Sequence, residues 1–157
     1  LGTMGFGVPA AIGAKLAMPD RDVVVFVGDG GFQMTMQELG TIMEHKIPVK
    51  IIILNNDFLG NVRQWQELFF NNRFSYTPMV NPDFIKIASA YGIEGESVAD
   101  RSQLDDAIAR MLAHDGPYLL NVNIDPTDKI FPMIPIGGSI DKMLLAPNCL
   151  YEIPVFR

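Results

Sequence analysis

Two short segments hold the residues best suited to chemistry, Gly28-Asp29-Gly30-Gly31 and Asn55-Asn56. Each follows a run of apolar residues, 23–27 in the first case and 49–54 in the second. Such runs read as buried parallel strands, and open α/β sheets bind ligands beyond the carboxyl ends of their strands. If the two strands are neighbours, the Asp29 carboxylate and the Asn56 amide enter one crevice as hard oxygen ligands. The glycines let backbone N–H groups approach a phosphate at a helix start. Mg²⁺ suits that combination, because it takes few protein oxygens and keeps phosphate oxygens and water. The chemistry implied is a metal-bridged diphosphate site. Glycine and aspartate also build ordinary strand-ending turns and helix caps, so neither segment is decisive alone.

The elements that must position these residues alternate between strand-like and helical patterns. That alternation predicts an α/β fold, a doubly wound and mostly parallel sheet with helices on both faces. Helices are expected over residues 8–18, 35–45, 60–70 and 102–113, with strands at 23–27, 49–54, 96–98 and 118–124. Asn81-Pro82-Asp83 reads as a helix start, followed by an apolar face of Phe84, Ile85, Ile87, Ala88 and Tyr91 and a cap at Gly92. From Asp125 onward, prolines and Gly137-Gly138 predict an irregular tail over the surface.

A chain of 157 residues supports one domain with a substantial core. Its net charge of −6 carries no basic stripe, which excludes nucleic acid as a partner. The longest apolar run is too short to cross a bilayer, so no membrane role is expected. A single cysteine, Cys149, excludes an internal disulfide and reads as a packing residue. The sequence opens at Leu1 inside a glycine-rich stretch, the expected look of a piece of a longer polypeptide.

Gly-Asp-Gly, a helix, an apolar strand and Asn-Asn, in this order and at this spacing, resemble the thiamine-diphosphate signature. Further matches are Leu1-Gly2-Thr3-Met4-Gly5, Pro48-Val49-Lys50-Ile51, Leu59-Gly60, Val62-Arg63-Gln64-Trp65-Gln66 and Asn81-Pro82-Asp83-Phe84. Phe131-Pro132-Met133-Ile134-Pro135 followed by Gly137-Gly138 is another. In order and spacing these segments resemble the catalytic subunits of the acetohydroxyacid (acetolactate) synthase family. The resemblance implies a thiamine-diphosphate-binding domain over residues 1–143 and a tail over 144–157. Amino-terminal pyrimidine-binding and middle FAD-binding domains belong to other parts of such a parent.

The resemblance also implies roles. Asp29, Asn56 and the Phe58 backbone carbonyl would ligate Mg²⁺. Gly28, Gly30, Gly31 and Gly60 would hold the diphosphate of thiamine diphosphate. Met34, otherwise an ordinary core methionine, would be the wedge that bends the cofactor, and the backbone at Met4 would bond its pyrimidine amino group. Trp65, with Val62 and Asn61, would line the acceptor pocket, Trp65 favouring 2-ketobutyrate over a second pyruvate; packing on its helix is the competing role. Asn61 departs from the family, which usually has methionine there. Arg63 is either a solvated helix charge or a substrate-channel residue, and His45 and His114 fit helix ends. The family's catalytic glutamate lies in the amino-terminal domain, and Glu38, Glu44 and Glu67 are in the wrong context to replace it, so this piece alone is expected to be inactive.

The implied parent reaction is decarboxylation of pyruvate and condensation with a second 2-keto acid, giving acetolactate or acetohydroxybutyrate for branched-chain amino-acid biosynthesis. A homodimer or homotetramer is implied, with a possible regulatory small subunit and FAD in the parent. The compartment would be the cytoplasm in a bacterium and an organelle in a plant or fungus. The rivals are pyruvate oxidase, glyoxylate carboligase, a 2-keto acid decarboxylase, or a non-catalytic assembly domain that kept the fold.

Overall fold

The computed structural model describes residues 2–146 and the backbone of residues 149–152. Leu1, the Cys149 side chain and the final Val155-Phe156-Arg157 lie outside the described residues. The chain divides into two compact units, Leu1–Leu59 with Pro78–Pro126 and Gly60–Thr77 with Thr127–Arg157.

In the first unit, β-branched runs form a four-stranded parallel sheet. Its strands are β1 (Val24–Gly28), β2 (Lys50–Asn55), β3 (Glu94–Val98) and β4 (Tyr118–Asn123), in the order β1-β2-β4-β3. Ile51, Ile53 and Leu119 point to one face, where α1 (Gly7–Ala17), α3 (Leu39–His45) and α5 (Phe84–Ala90) cover them with Val8, Ile42 and Phe84. Ile52, Leu120 and Val98 point to the other, under Leu104, Ala107 and Met111 of α6 (Leu104–Ala113). Alternate residues of buried strands therefore feed two separate apolar layers, as the period of two requires. Among the described residues, little covers the second face beyond α6 over the edge strand, where Phe26 is 65% exposed.

Two buried lysines fix loops at the amino ends of elements. Lys50 Nζ donates to the carbonyls of His114 and Gly116, which ties the start of β2 to the approach to β4. Burial lowers the Lys50 ammonium pKa. Lys15 Nζ donates to the carbonyls of Pro19 and Arg21, closing the turn into β1.

The structure departs from the sequence expectations in three places. A short helix, α2 (Asp29–Gln33), begins where a loop was expected, so the two diglycine positions are helical despite their poor propensity. The helix expected over 35–45 starts one residue late and as a 3-10 turn: Thr35 lies outside it at φ −138° and ψ 21°, and Met36–Glu38 runs directly into α3. The tail is not wholly irregular, because β5 (Lys142–Ala146) and β6 (Cys149–Glu152) pair antiparallel. The tail boundary expected after Met143 falls inside β5. The second unit also contains α4 (Gly60–Phe69), opened by Gly60.

Candidate cofactor site

Strand register brings the two chemical segments to one place. Gly28 at the end of β1 lies opposite Leu54 of β2, so Asp29 and Asn55 leave adjacent strands at the same level. The backbone N–H of Asp57 donates to Asp29 Oδ2 at 2.9 Å. Asp57 is in the left-handed region at φ 57°, which turns the chain sharply just after Asn56. Asn56 Oδ1 accepts from the Phe58 N–H at 3.1 Å, an Asx turn that fixes this side chain beside its own loop. Phe58 itself bridges to Pro78.

Asp29 is 2% exposed, and its oxygens are unevenly used. Oδ1 accepts one bond, from the Gly30 N–H at 2.9 Å, while Oδ2 accepts from Asp57 N–H and from Asn81 Nδ2 at 2.7 Å. Among the described residues, no lysine, arginine or histidine forms an ion pair with it. A buried carboxylate held by dipoles alone is costly and is commonly completed by a cation. The α2 helix adds little, because five residues make a small dipole.

Around this carboxylate the cradle is tight. A Cβ on Gly30 would stand 2.8 Å from Leu59 Cδ2 and 3.2 Å from Met4 Cε and Met79 Sδ. Met4 is thus packed towards Gly30, and Thr35 Oγ1 donates to the Gly5 carbonyl at 2.9 Å, anchoring the same loop to the segment after α2. Met34 is 54% exposed and Met4 43% exposed. Neither fills the core, so the packing role weighed for Met34 does not hold. Met4, Gly28, Asp29, Gly30, Gly31, Met34 and Asn56 all belong to the first unit.

Gly60, Asn61, Val62 and Trp65 belong to the second unit. On α4, Val62 and Trp65 are 44% and 42% exposed, whereas Gln64 between them is buried. Gln64 Nε2 donates to the Ile130 carbonyl at 2.9 Å, and its Oε1 accepts from the Ile130 N–H at 2.8 Å. Lys129 pairs with Glu67 at 2.8 Å on the same helix. Gln64 and Glu67 therefore fix the 129–130 segment while Trp65 stays outward. The Arg63 guanidinium lies 5.6 Å from the Phe74 ring centroid.

In the sequence Asn81 is visible only as part of a helix start. The cap there is Asp83, whose Oδ1 accepts from Ile85 and Lys86. Asn81 instead reaches Asp29, Asn55 and Asp57. No local pattern marks such a role, because its partners lie on other loops. A second polar cluster lies at the opposite edge of the sheet, joining Glu96 in the middle of β3 to Arg110 of α6 and Tyr118 at the start of β4. Glu96 takes two bonds from Arg110, at 2.9 and 2.7 Å, and one from Tyr118 at 2.9 Å. The Arg110 bonds hold the Glu96 carboxyl below its usual pKa, and burial followed by the bond to Glu96 pushes Tyr118 up to about 12.

Comparison with known proteins agrees with this geometry. A family model described as thiamine pyrophosphate enzyme, C-terminal TPP binding domain, matches residues 1–122. The chain is 50% identical over 145 residues to the acetolactate synthase isozyme 2 large subunit of Escherichia coli (strain K12), covering 92% of this chain and 26% of that protein. It is 47% identical over 145 residues to the mitochondrial acetolactate synthase catalytic subunit of Aspergillus candidus, covering 92% and 21%. Among solved structures, the Rhodococcus jostii RHA1 thiamine diphosphate-dependent 4-hydroxybenzoylformate decarboxylase is similar at a TM-score of 0.73 and 37% identity, over 78% of this chain and 23% of that one. The chain thus spans about a quarter of the length of these relatives. With its strand ends, buried aspartate and glycine cradle in the matching region, the chain belongs to the thiamine pyrophosphate enzymes and is their C-terminal TPP-binding domain.

Proposed function

We propose that this chain is the cofactor-holding part of an acetolactate synthase, in which Asp29, Asn56 and the Phe58 carbonyl hold Mg²⁺ against the diphosphate of thiamine diphosphate. The observation that carries the reading is the Asp29 carboxylate, 2% exposed and without a cationic partner among the described residues. Asp29 Oδ1 and Asn56 Oδ1 each accept one N–H bond, which leaves each an unused lone pair. Hard oxygens with spare capacity suit Mg²⁺. The donor set fits the ion.

The remaining residues bind and orient. The backbone of the Gly28–Gly31 segment would hold the diphosphate, and a Cβ on Gly30 would intrude on Met4 and Leu59 there. The half-exposed Met34 side chain and the backbone at Met4 would hold the thiamine part of the cofactor. Bound thiamine diphosphate supplies the nucleophilic carbon for the reaction. On α4, the outward Trp65, with Val62 and Asn61, would line the acceptor pocket, Trp65 favouring 2-ketobutyrate over a second pyruvate.

The whole protein decarboxylates pyruvate and condenses it with a second 2-keto acid, giving acetolactate or acetohydroxybutyrate. The support is identity of 50% and 47% to acetolactate synthases over most of this chain. The glutamate that activates the cofactor, the FAD site and the contacts of a homodimer or homotetramer, with any regulatory small subunit, belong to segments outside these residues. Among the described residues, no helix is long and apolar enough to cross a membrane. The compartment is the cytoplasm if the source is a bacterium. Product analysis of the full-length protein with pyruvate tests the reading: acetolactate supports it. Free aldehyde would assign a decarboxylase, like the Rhodococcus protein, acetyl phosphate an oxidase, and tartronate semialdehyde from glyoxylate a carboligase of another kind.

A further inference from the structure

Asn81 lies on the loop before α5, far in sequence from both chemical segments, yet its Nδ2 is the most heavily shared donor of the site. It stands 2.7 Å from Asp29 Oδ2, 2.9 Å from Asn55 Oδ1 and 2.9 Å from Asp57 Oδ1. A side-chain amide has two N–H protons. Three acceptors therefore compete for two protons, and two of them belong to carboxylates. The amide cannot rotate to relieve this, because Gln33 Nε2 donates to Asn81 Oδ1 at 2.8 Å and holds the oxygen away from the carboxylates. A flip would point that oxygen at Asp29 and Asp57 instead.

From this geometry we infer that Asn81, oriented by Gln33, is a positioning residue that occupies Asp29 Oδ2 and thereby leaves Oδ1 as the oxygen presented to the divalent cation. The inference rests on the cofactor-site reading above. Asp29 Oδ2 is filled by two N–H donors and Oδ1 by one, so Oδ1 alone retains capacity. Asn81 also joins the ends of β1 and β2, because its other acceptors, Asn55 and Asp57, flank Asn56. Partners that orient a metal ligand commonly change metal affinity by roughly 10–100-fold when removed.

The test measures Mn²⁺ binding to the full-length protein in saturating thiamine diphosphate, by the electron paramagnetic resonance signal of free Mn²⁺. Asn81→Ala is expected to weaken Mn²⁺ by roughly 10–100-fold. Gln33→Leu should weaken it in the same direction by less. Urea unfolding without metal is run in parallel, so that lost folding is not mistaken for lost binding. If Asn81→Ala folds and holds Mn²⁺ as the parent does, the positioning role is overturned and the cofactor site stands. Should Asn81→Ala fail to fold, Gln33→Leu decides, and unchanged Mn²⁺ affinity there overturns the role. If the unaltered protein holds no Mn²⁺ with thiamine diphosphate, the cofactor-site reading falls and this inference with it.

Discussion

The Asp57 backbone N–H donates to Asp29 Oδ2 at 2.9 Å, joining the ends of two parallel strands through a carboxylate. The register of Gly28 opposite Leu54 makes that bond possible. A slip of one residue would turn Ile51 and Ile53 from one apolar layer to the other and separate the two segments. Core packing and site geometry are thus set by the same register.

Two glycine substitutions should differ sharply in cost. A Cβ on Gly95 would meet the Leu119 carbonyl oxygen of the neighbouring strand at 2.2 Å, and backbone there cannot yield. Gly95→Ala is expected to destabilise by about 3 kcal/mol or more. At Gly30 the nearest atoms are ends of flexible side chains, Leu59 Cδ2 and Met4 Cε. Gly30→Ala should cost about 1 kcal/mol in stability and show its main effect on thiamine diphosphate binding. Urea unfolding of both variants checks the order, and equal costs would contradict it.

Tyr118 predicts a base-induced loss of stability. Its hydroxyl pKa is pushed to about 12, first by burial and then by the bond to Glu96. Because the folded value lies above the unfolded one of about 10, the contribution is complete below pH ~10 and is lost as pH rises towards about 12. Tyr118→Phe should flatten that part of the stability curve in denaturant titrations at increasing pH. A variant whose decline over this window matches the parent would refute the assignment.

The core strands and the two chemical segments were legible in the sequence because their signals are local. β2 reads as a strand from Ile51-Ile52-Ile53 alone, and all three are buried. The start of α2 was not legible, since Asp29-Gly30-Gly31 has low helix propensity and tertiary contacts prevail there. The β5 strand was hidden by Lys142-Met143-Leu144-Leu145-Ala146, all good helix formers without period-two alternation. Asn81 was hidden for another reason. Its amide acts on residues distant in the chain, and only the folded register reveals them.

Within the second unit, Gln64 should matter more than its neighbour Trp65 for local stability. Gln64 is buried and satisfies both backbone groups of Ile130. Gln64→Leu is expected to cost about 1–3 kcal/mol, since Ile130 loses both partners. Trp65→Leu should cost less, given its exposure. Limited proteolysis between residues 127 and 133 reports the difference, with faster cleavage expected only in the Gln64 variant.

Calorimetric titration of the full-length protein with thiamine diphosphate, with and without Mg²⁺, tests the cofactor site most directly. The site described here requires binding that depends on Mg²⁺ and that weakens in Asp29→Ala by more than the roughly 10–100-fold typical of an outer-shell loss. Binding of equal strength without the metal, or unchanged in Asp29→Ala, would contradict it.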